Sequence, residues 1–202
     1  MQTTNTTEQQ IIDAAKKIFM QKGLAGARMQ DIADEAGINK AMLHYYYRSK
    51  DKLFEMVFTE ALEQLLKRIN AIFTGDMPFK EKVAAAVDHY ITSLSASPHL
   101  PIFIINELNQ NPERIVERFV HAAEFPDIKK FMQEMLTEME KGAIRKMSPL
   151  QLMMNTLSLC VFPFIAKPII SNVFGMNDEQ YKALMEERKK SVTEFILMSL
   201  RP

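Results

Sequence analysis

The chain has 202 residues, of which 47% are apolar and 25% are charged, a balance typical of a soluble globular protein that buries a core. Its 25 basic and 25 acidic residues cancel, so net charge points to no nucleic-acid partner, and only a local excess of one sign would do so. Cys160 is the single cysteine, which excludes an intramolecular disulfide and a cysteine-based metal cluster. The lone cysteine and the polar segment Met1–Thr7, which lacks the apolar core of a secretory signal, favour a cytoplasmic protein.

The most apolar stretch of the chain is Leu150–Phe174, but Gln151, Asn155, Lys167 and two prolines interrupt it. Its longest apolar part, Leu157–Ala166, is about half of the roughly 20 residues that a bilayer requires. We therefore predict no membrane partner and interpret the stretch as a buried helix or a subunit interface.

Apolar residues recur at spacings of three and four, and the alternation typical of strands is absent, so the sequence predicts an all-α protein. Thr7 is predicted to cap the first helix, Gly23 to end it, and Asn39 to cap the third. Gly37 permits the positive φ of a tight turn between the second and third helices. The predicted helices span residues 7–22, 29–36, 40–47, 50–74, 78–97, 101–109, 112–122, 127–141, 149–173 and 178–200.

Two short helices flanking Ala36-Gly37-Ile38 have the spacing of a helix-turn-helix. In that motif the second helix enters the major groove of double-stranded DNA with its N-terminal residues against base edges. From Ala36 to Lys50 the chain carries three cations and no carboxylate, as phosphate binding requires. The predicted inward residues are Ile32, Ala33, Ile38, Leu43 and Tyr47, and the outward residues are Lys40, Ala41, Met42, His44, Tyr45 and Tyr46.

This stretch resembles the signature of the TetR family of transcriptional regulators, and the match extends over Glu8–Phe58, about a quarter of the chain. The matching elements are Ile32-Ala33, Ala36-Gly37-Ile38, Asn39, Leu43, Tyr45-Tyr46-Tyr47, Arg48, Ser49-Lys50 and Leu53. The resemblance implies an N-terminal three-helix helix-turn-helix domain, residues 1–50, and a C-terminal helical bundle, residues 51–202, for ligand sensing and dimerisation.

The resemblance also implies individual DNA contacts. Lys50 matches a phosphate-contacting lysine, Tyr45 and Tyr46 match positions that touch backbone or bases, and Gln30 matches a position that reaches a base. The sequence departs from the family pattern at Arg28, Ala41, Met42 and His44, which leaves the operator sequence open. The predicted DNA-binding residues are Arg28, Gln30, Asn39, Lys40, Ala41, Met42, His44, Tyr45, Tyr46 and Lys50.

We predict a homodimer formed by the last two helices, because their apolar content exceeds what one thin domain can cover. The residues predicted for the seam are Leu152, Leu159, Phe162, Phe195 and Leu197.

A mostly apolar ligand pocket is predicted within residues 75–175, because Pro163 and Pro168 kink an otherwise helical run and kinked helices pack less completely. The alternative is that the same side chains simply fill the core. Cys160 is predicted to be an inert buried thiol. The predicted ligand-binding residues are Phe103, Asn106, Glu107, His121, Phe131, Met135 and Phe164.

The favoured function is a ligand-responsive repressor that binds a palindromic operator as a dimer and responds to a hydrophobic small molecule. The alternatives are a helical DNA-binding protein controlled by a protein partner or by no ligand, and a helical enzyme with a cryptic site in residues 75–202. The chain has no phosphate-binding glycine loop, no HExxH pair and no GxSxG elbow. We therefore predict no catalytic residues, no cofactor and no metal.

Overall fold

The computed structural model describes residues 6–110, 112–120 and 125–202, and every regular element in these ranges is a helix. The all-α prediction is therefore confirmed. A π-helical turn, Val116–Val120, follows α7. The helices are α1 (Thr7–Gly26), α2 (Met29–Glu35), α3 (Lys40–Tyr46), α4 (Lys50–Thr74), α5 (Phe79–Ala96), α6 (Leu100–Gln110), α7 (Pro112–Ile115), α8 (Ile128–Glu140), α9 (Pro149–Ile165), α10 (Lys167–Phe174) and α11 (Asp178–Ser199).

The polar side chain that precedes a helix fixes where most of these helices begin, because it accepts a hydrogen bond from an otherwise unpaired N–H of the first turn. The predicted cap of α1 is off by one residue: Thr6, not Thr7, accepts from the Gln9 N–H at 3.3 Å. Gly23 interrupts α1 with φ 65°, but one more turn carries the helix to Gly26. The capping side chains are Thr6, Asn39, Ser49, Asp127, Ser148 and Asn177.

Helix α1 packs against α2 and α4, and α2 packs against α3. Ile32, Ala33 and Leu43 are fully buried, as predicted, because α2 and α3 must approach closely. The rings of Phe19 on α1 and Phe54 on α4 meet edge to face at 4.9 Å between centroids. The long helix α4 is therefore the element that joins this bundle to the remaining helices.

In the remainder of the chain α5 is the central helix, packed against α4, α8, α9 and α11. Its buried residues Ile91 and Leu94 share the core with Met135 of α8 and Ile196 of α11. Helices α4, α8, α9 and α11 thus surround α5 in a single bundle.

The predicted single helix over residues 149–173 is wrong, because α9 and α10 are separate helices that meet at an angle of 65°. Pro163 lacks the N–H that would bond to the Leu159 carbonyl one turn earlier. Instead, Arg188 of α11 donates to that carbonyl from Nε at 3.0 Å and from Nη2 at 2.7 Å. The Tyr181 hydroxyl donates to the Pro163 carbonyl at 2.9 Å. Helix α11 therefore supplies the donors that the bend in α9 removes.

Among the described residues, no single helix is long and apolar enough to cross a membrane, and α9 with α10 reaches that composition only as a bent pair.

The Arg188→Met substitution should lower the free energy of unfolding by about 1–3 kcal/mol, because it leaves the partly buried Leu159 carbonyl unsatisfied. The same substitution in a Pro163→Ala background should cost less, because the alanine N–H restores the helical partner of that carbonyl. Urea unfolding at one fixed protein concentration measures both differences. Lys190→Met, on the exposed side of α11, is the control. Equal losses from Arg188→Met in both backgrounds would show that Arg188 does not compensate for the proline.

Candidate nucleic-acid interface and ligand cavity

Helix α3 presents a row of uncovered side chains on its outer face. Tyr45 is 85% exposed, Met42 is 43% exposed and Tyr46 is 41% exposed, which is unusual for large apolar side chains on a single short helix. Lys40, Ala41 and His44 are exposed beside them. The predicted outward residues of α3 are therefore all outward in the structure.

The outer face of α3 is held in place from beneath. Leu43 is fully buried and Tyr47 is 6% exposed, and the Tyr47 hydroxyl donates to the Glu8 carboxylate of α1 at 3.2 Å. Burial together with the Glu8 charge raises the pKa of Tyr47 to about 12, so this hydroxyl remains a donor. The split within the triple tyrosine, with Tyr47 inward and the other two outward, is as predicted.

The turn before α3 fixes the angle at which the helix leaves the bundle. Gly37 has φ 67°, and the Ile38 N–H donates to the Ala33 carbonyl at 3.0 Å, closing the end of α2. The Asn39 side chain accepts from the Met42 N–H at 2.7 Å. Asn39, predicted to contact DNA, is thus engaged as the cap of α3, which leaves its amide group as the part available to a ligand.

Two of the three carboxylates of α2 are paired with lysines of α1, and the third, Asp34, accepts from Gln30. Lys22 and Asp31 are 2.8 Å apart, and Lys17 and Glu35 are 2.6 Å apart. The hydrogen bond from Lys22 lowers the pKa of Asp31, which stays ionised. Because these acids are matched within the α1–α2 pair, the cations near α3 are left as the dominant charge of the outer face.

Two predicted contact residues of α2 lie at its exposed start. Arg28 is the residue before the helix, and its backbone N–H donates to the Asp31 carboxylate at 3.3 Å. Gln30 donates from its amide nitrogen to Asp34 at 2.7 Å. Both side chains are exposed, and a base contact by Gln30 requires that its bond to Asp34 be exchanged.

Lys50 has a second role that the sequence did not reveal. Its ammonium donates to the carbonyls of Leu24 at 2.6 Å and Ala27 at 3.1 Å, which ties the start of α4 to the segment between α1 and α2. An ammonium carries three N–H donors, so one donor is left for a phosphate. The last carbonyls of α1, near Gly23, have no helical N–H partner. They were the sequence signal for this contact.

A cavity of about 320 Å³, here called the α8-side cavity, lies between α4, α5, α8 and α9. Its size is at the lower end of the range for small-molecule sites. Its lining residues are apolar or uncharged: Leu66, Ile69, Phe73, Val83, Ala86, Tyr90, Phe125, Pro126, Ile128, Phe131, Leu152, Met153, Thr156, Leu157 and Cys160.

A second, more open cavity of about 440 Å³, here called the α6-side cavity, lies between α4, α5, α6 and α9. Tyr90 and Leu157 line both cavities. No charged side chain is among the described residues that line either one. The α6-side lining is Leu62, Leu65, Tyr90, Leu94, Pro101, Ile104, Ile105, Leu157, Ser158, Val161, Phe162 and Ile165.

Of the predicted ligand-binding residues, only Phe131 lines a described cavity. Met135 and Phe164 are buried but fill the core instead. Phe103 is also buried, and it packs against Phe54 and Phe58 of α4 with centroid separations of 5.9 and 5.7 Å. These three residues line neither described cavity, and their predicted role in ligand binding stays a prediction.

The predicted polar anchors cannot be placed. His121 and the side chains of Asn106 and Glu107 lie outside the described residues.

Sequence reasoning missed Tyr90 and Thr156, the polar members of the α8-side lining. Tyr90 is the only aromatic residue in the central part of α5, which was the available signal. The Thr156 hydroxyl donates to the Leu152 carbonyl at 2.8 Å, and burial raises the pKa of Tyr90 to about 12. Both hydroxyls are therefore neutral hydrogen-bonding groups.

Cys160 is buried against the α8-side cavity, and burial raises the pKa of its thiol to about 12. The thiol is protonated at neutral pH, which agrees with the predicted inert role. No group of three or more His, Cys, Asp or Glu residues within the described ranges is arranged to hold a metal ion.

Several known proteins are similar to this chain. Residues 11–57 match the model of bacterial regulatory proteins of the tetR family. The HTH-type transcriptional regulator YhgD of Bacillus subtilis is 24% identical over 134 residues, which are 66% of this chain and 61% of YhgD. The probable HTH-type transcriptional regulator YttP of the same organism is 25% identical over 190 residues, 91% of each chain. The chain spans less than two thirds of several other curated regulators, for example 53% and 36% of two from the same organism.

The fold also matches solved structures of regulators. The transcriptional regulator FadR from Bacillus subtilis in complex with stearoyl-CoA has a TM-score of 0.63 and 17% identity, and the match covers 96% of this chain and 100% of FadR. At that identity the likeness concerns the fold. The helix-turn-helix geometry and the family model agree, so residues 11–57 are a region of the tetR family of bacterial regulatory proteins. The rest of the chain shares the all-helical fold of such regulators.

Proposed function

We propose that this protein is a transcriptional repressor that binds a palindromic DNA operator as a homodimer and is controlled by a hydrophobic small molecule. Residues 1–50 are the DNA-binding domain in this proposal, and residues 51–202 bind the ligand and form the dimer. The observation that carries it is the exposed face of α3, with Tyr45 85% exposed above the fully buried Leu43.

DNA binding is supported by how the polar groups around α3 are distributed. The acids Asp31 and Glu35 are paired with α1 lysines, whereas Lys40 and Arg48 lie exposed beside the tyrosines. Phosphate contacts supply affinity without sequence preference, and side chains at base edges supply the preference. The face of α3 offers both kinds of group on a helix narrow enough for the major groove.

Dimerisation is supported by a broad apolar surface on the last three helices. Phe162 of α9 is 61% exposed and Phe195 of α11 is 62% exposed, and both were predicted for the seam. Leu152, also predicted, is 4% exposed and lines the α8-side cavity instead, so it is not part of the proposed seam. Further large exposed apolar side chains of this surface are Leu150, Met154, Ile169, Val173, Phe174 and Met198.

Control by a ligand is supported by the two cavities, because an alternative controlled by a protein partner or by no ligand predicts a filled core. The fold is also that of a regulator solved in complex with stearoyl-CoA. Helix α6 lines one cavity with Pro101 and Ile104, and its Phe103 packs on α4. A ligand that displaces α6 therefore acts on the helix that carries the DNA-binding bundle.

The Lys50→Ala substitution should weaken binding to all DNA sequences and reduce the slope of log affinity against log salt by about one, because one phosphate contact is lost. Affinity is measured by fluorescence anisotropy over a salt series. Lys80→Ala, an exposed lysine of α5, should leave the slope unchanged. A Lys50→Ala protein with a lower melting temperature and an unaltered slope would limit Lys50 to its bonds with the Leu24 and Ala27 carbonyls.

The Tyr45→Ala substitution should instead change which sequences are bound. A direct base contact contributes about 1–3 kcal/mol of discrimination, so one half-site position should become permissive in selection from randomised DNA. Because Tyr45 is almost fully exposed, the melting temperature should stay the same. A uniform loss of affinity with an unchanged preferred sequence would place Tyr45 on the DNA backbone.

The Phe162→Glu and Phe195→Glu substitutions should convert the dimer to a monomer, because each places a charge in the proposed apolar seam. Light scattering at micromolar concentration should give twice 23.3 kDa for the native protein and 23.3 kDa for the variants. Met56→Glu on α4, where the side chain is 46% exposed, is the control and should remain dimeric. A native protein that is monomeric would contradict the palindromic operator as well.

A further inference from the structure

The two cavities are separated by very little. Tyr90 of α5 and Leu157 of α9 line both of them, so these side chains stand between the α8-side cavity and the α6-side cavity from opposite helices. The α8-side and α6-side cavities therefore border the same two side chains.

The chemistry of the lining limits what can occupy that space. The described lining residues include no lysine, arginine, histidine, aspartate or glutamate, and a buried charge without a partner is strongly unfavourable. The hydroxyl of Thr156 is already donated to the Leu152 carbonyl. An occupant must therefore be uncharged along its length and largely apolar, with any charged group outside both cavities.

We propose that the occupant is a single unbranched aliphatic chain, and that Tyr90 and Leu157 set how far this chain extends. This proposal rests on the proposed function, because it names the class of the effector. In the native protein the chain enters the α8-side cavity and its end is stopped by the Tyr90 ring. Longer chains extend only where that ring moves aside. Two cavities that meet at a pair of side chains favour a flexible chain over a compact ring system of the same volume.

The test is a series of saturated fatty acids, from hexanoic to octadecanoic acid, titrated against the full-length protein by calorimetry below their micelle concentrations. Each methylene that enters the cavity should tighten binding about fourfold, equivalent to about 0.8 kcal/mol per buried CH₂. The native protein should show this rise up to one chain length and a plateau beyond it. Tyr90→Ala should shift the plateau to longer chains and leave the shorter chains unchanged.

Matched variants test whether Tyr90 and Leu157, which line both cavities, limit the length of the bound chain. Leu94→Ala removes a side chain of α5 one turn from Tyr90 that lines only the α6-side cavity, so it should not move the plateau. Tyr90→Phe retains the ring and should behave like the native protein. Leu157→Ala removes the side chain that α9 contributes between the cavities, and it should shift the plateau as Tyr90→Ala does. If Tyr90→Ala does not fold, Leu157→Ala provides the test. An α,ω-dicarboxylic acid of the best chain length should lose binding at least a hundredfold, because its second carboxylate would be buried.

The outcomes separate the two proposals. If fatty acids bind with the same plateau in all variants, Tyr90 and Leu157 do not limit the chain. If the dicarboxylic acid binds as well as the monocarboxylic acid, or no fatty acid binds the native protein, the aliphatic occupant is wrong. DNA binding by the same preparations is measured independently. A native protein that does not bind DNA would overturn the proposed function instead.

Discussion

The missing N–H groups of Pro163 and Pro168 are the constraint on which α9 and α10 depend. A proline inside a helix leaves one carbonyl without its partner and directs its ring against the preceding turn. At Pro163 the helix continues, because Arg188 of α11 donates to the Leu159 carbonyl and Tyr181 donates to the Pro163 carbonyl. At Pro168 the helix does not continue: α9 ends at Ile165, α10 begins at Lys167 at an angle of 65°, and none of the side chains of α10 is buried.

Helix α9 borders both cavities over the stretch that precedes the bend. Leu157 lines both cavities, and Val161 lines the α6-side cavity. Phe162 also lines the α6-side cavity, and it is 61% exposed. The same helix therefore carries side chains of the proposed ligand space and of the proposed dimer seam.

The sequence predicted best those parts of the structure that local chemistry decides. The turn at Gly37, the cap at Asn39 and the buried side of α3 follow from a glycine, a short polar side chain and apolar spacing, and all three are present. The sequence predicted a kink at Pro163, but it did not predict the size of the bend or the division into two helices. The cavity lining was largely missed, because a gap depends on which faces of distant helices meet. Phe103 illustrates this, because an aromatic ring can line a pocket or fill a core. In the structure the Phe103 ring packs against Phe54 in the core.

In the proposed function, a ligand acts on the DNA-binding bundle through α6 and α4. Phe103 of α6 rests on Phe54 and Phe58, and Phe54 in turn meets Phe19 of the helix-turn-helix bundle. A ligand shifts such a system only by binding one arrangement more tightly than another. An apolar occupant that fills only the α8-side cavity contacts no residue of α6, so it has little means of discriminating between positions of that helix. An occupant that also reaches Pro101 and Ile104 gains or loses contacts as α6 moves. Two methylenes placed there contribute about 1.6 kcal/mol, which lies within the range of about 1–3 kcal/mol typical of coupling between sites. In the proposed mechanism, chains that stop at Tyr90 only bind, whereas chains that displace its ring also contact α6 and act on DNA affinity.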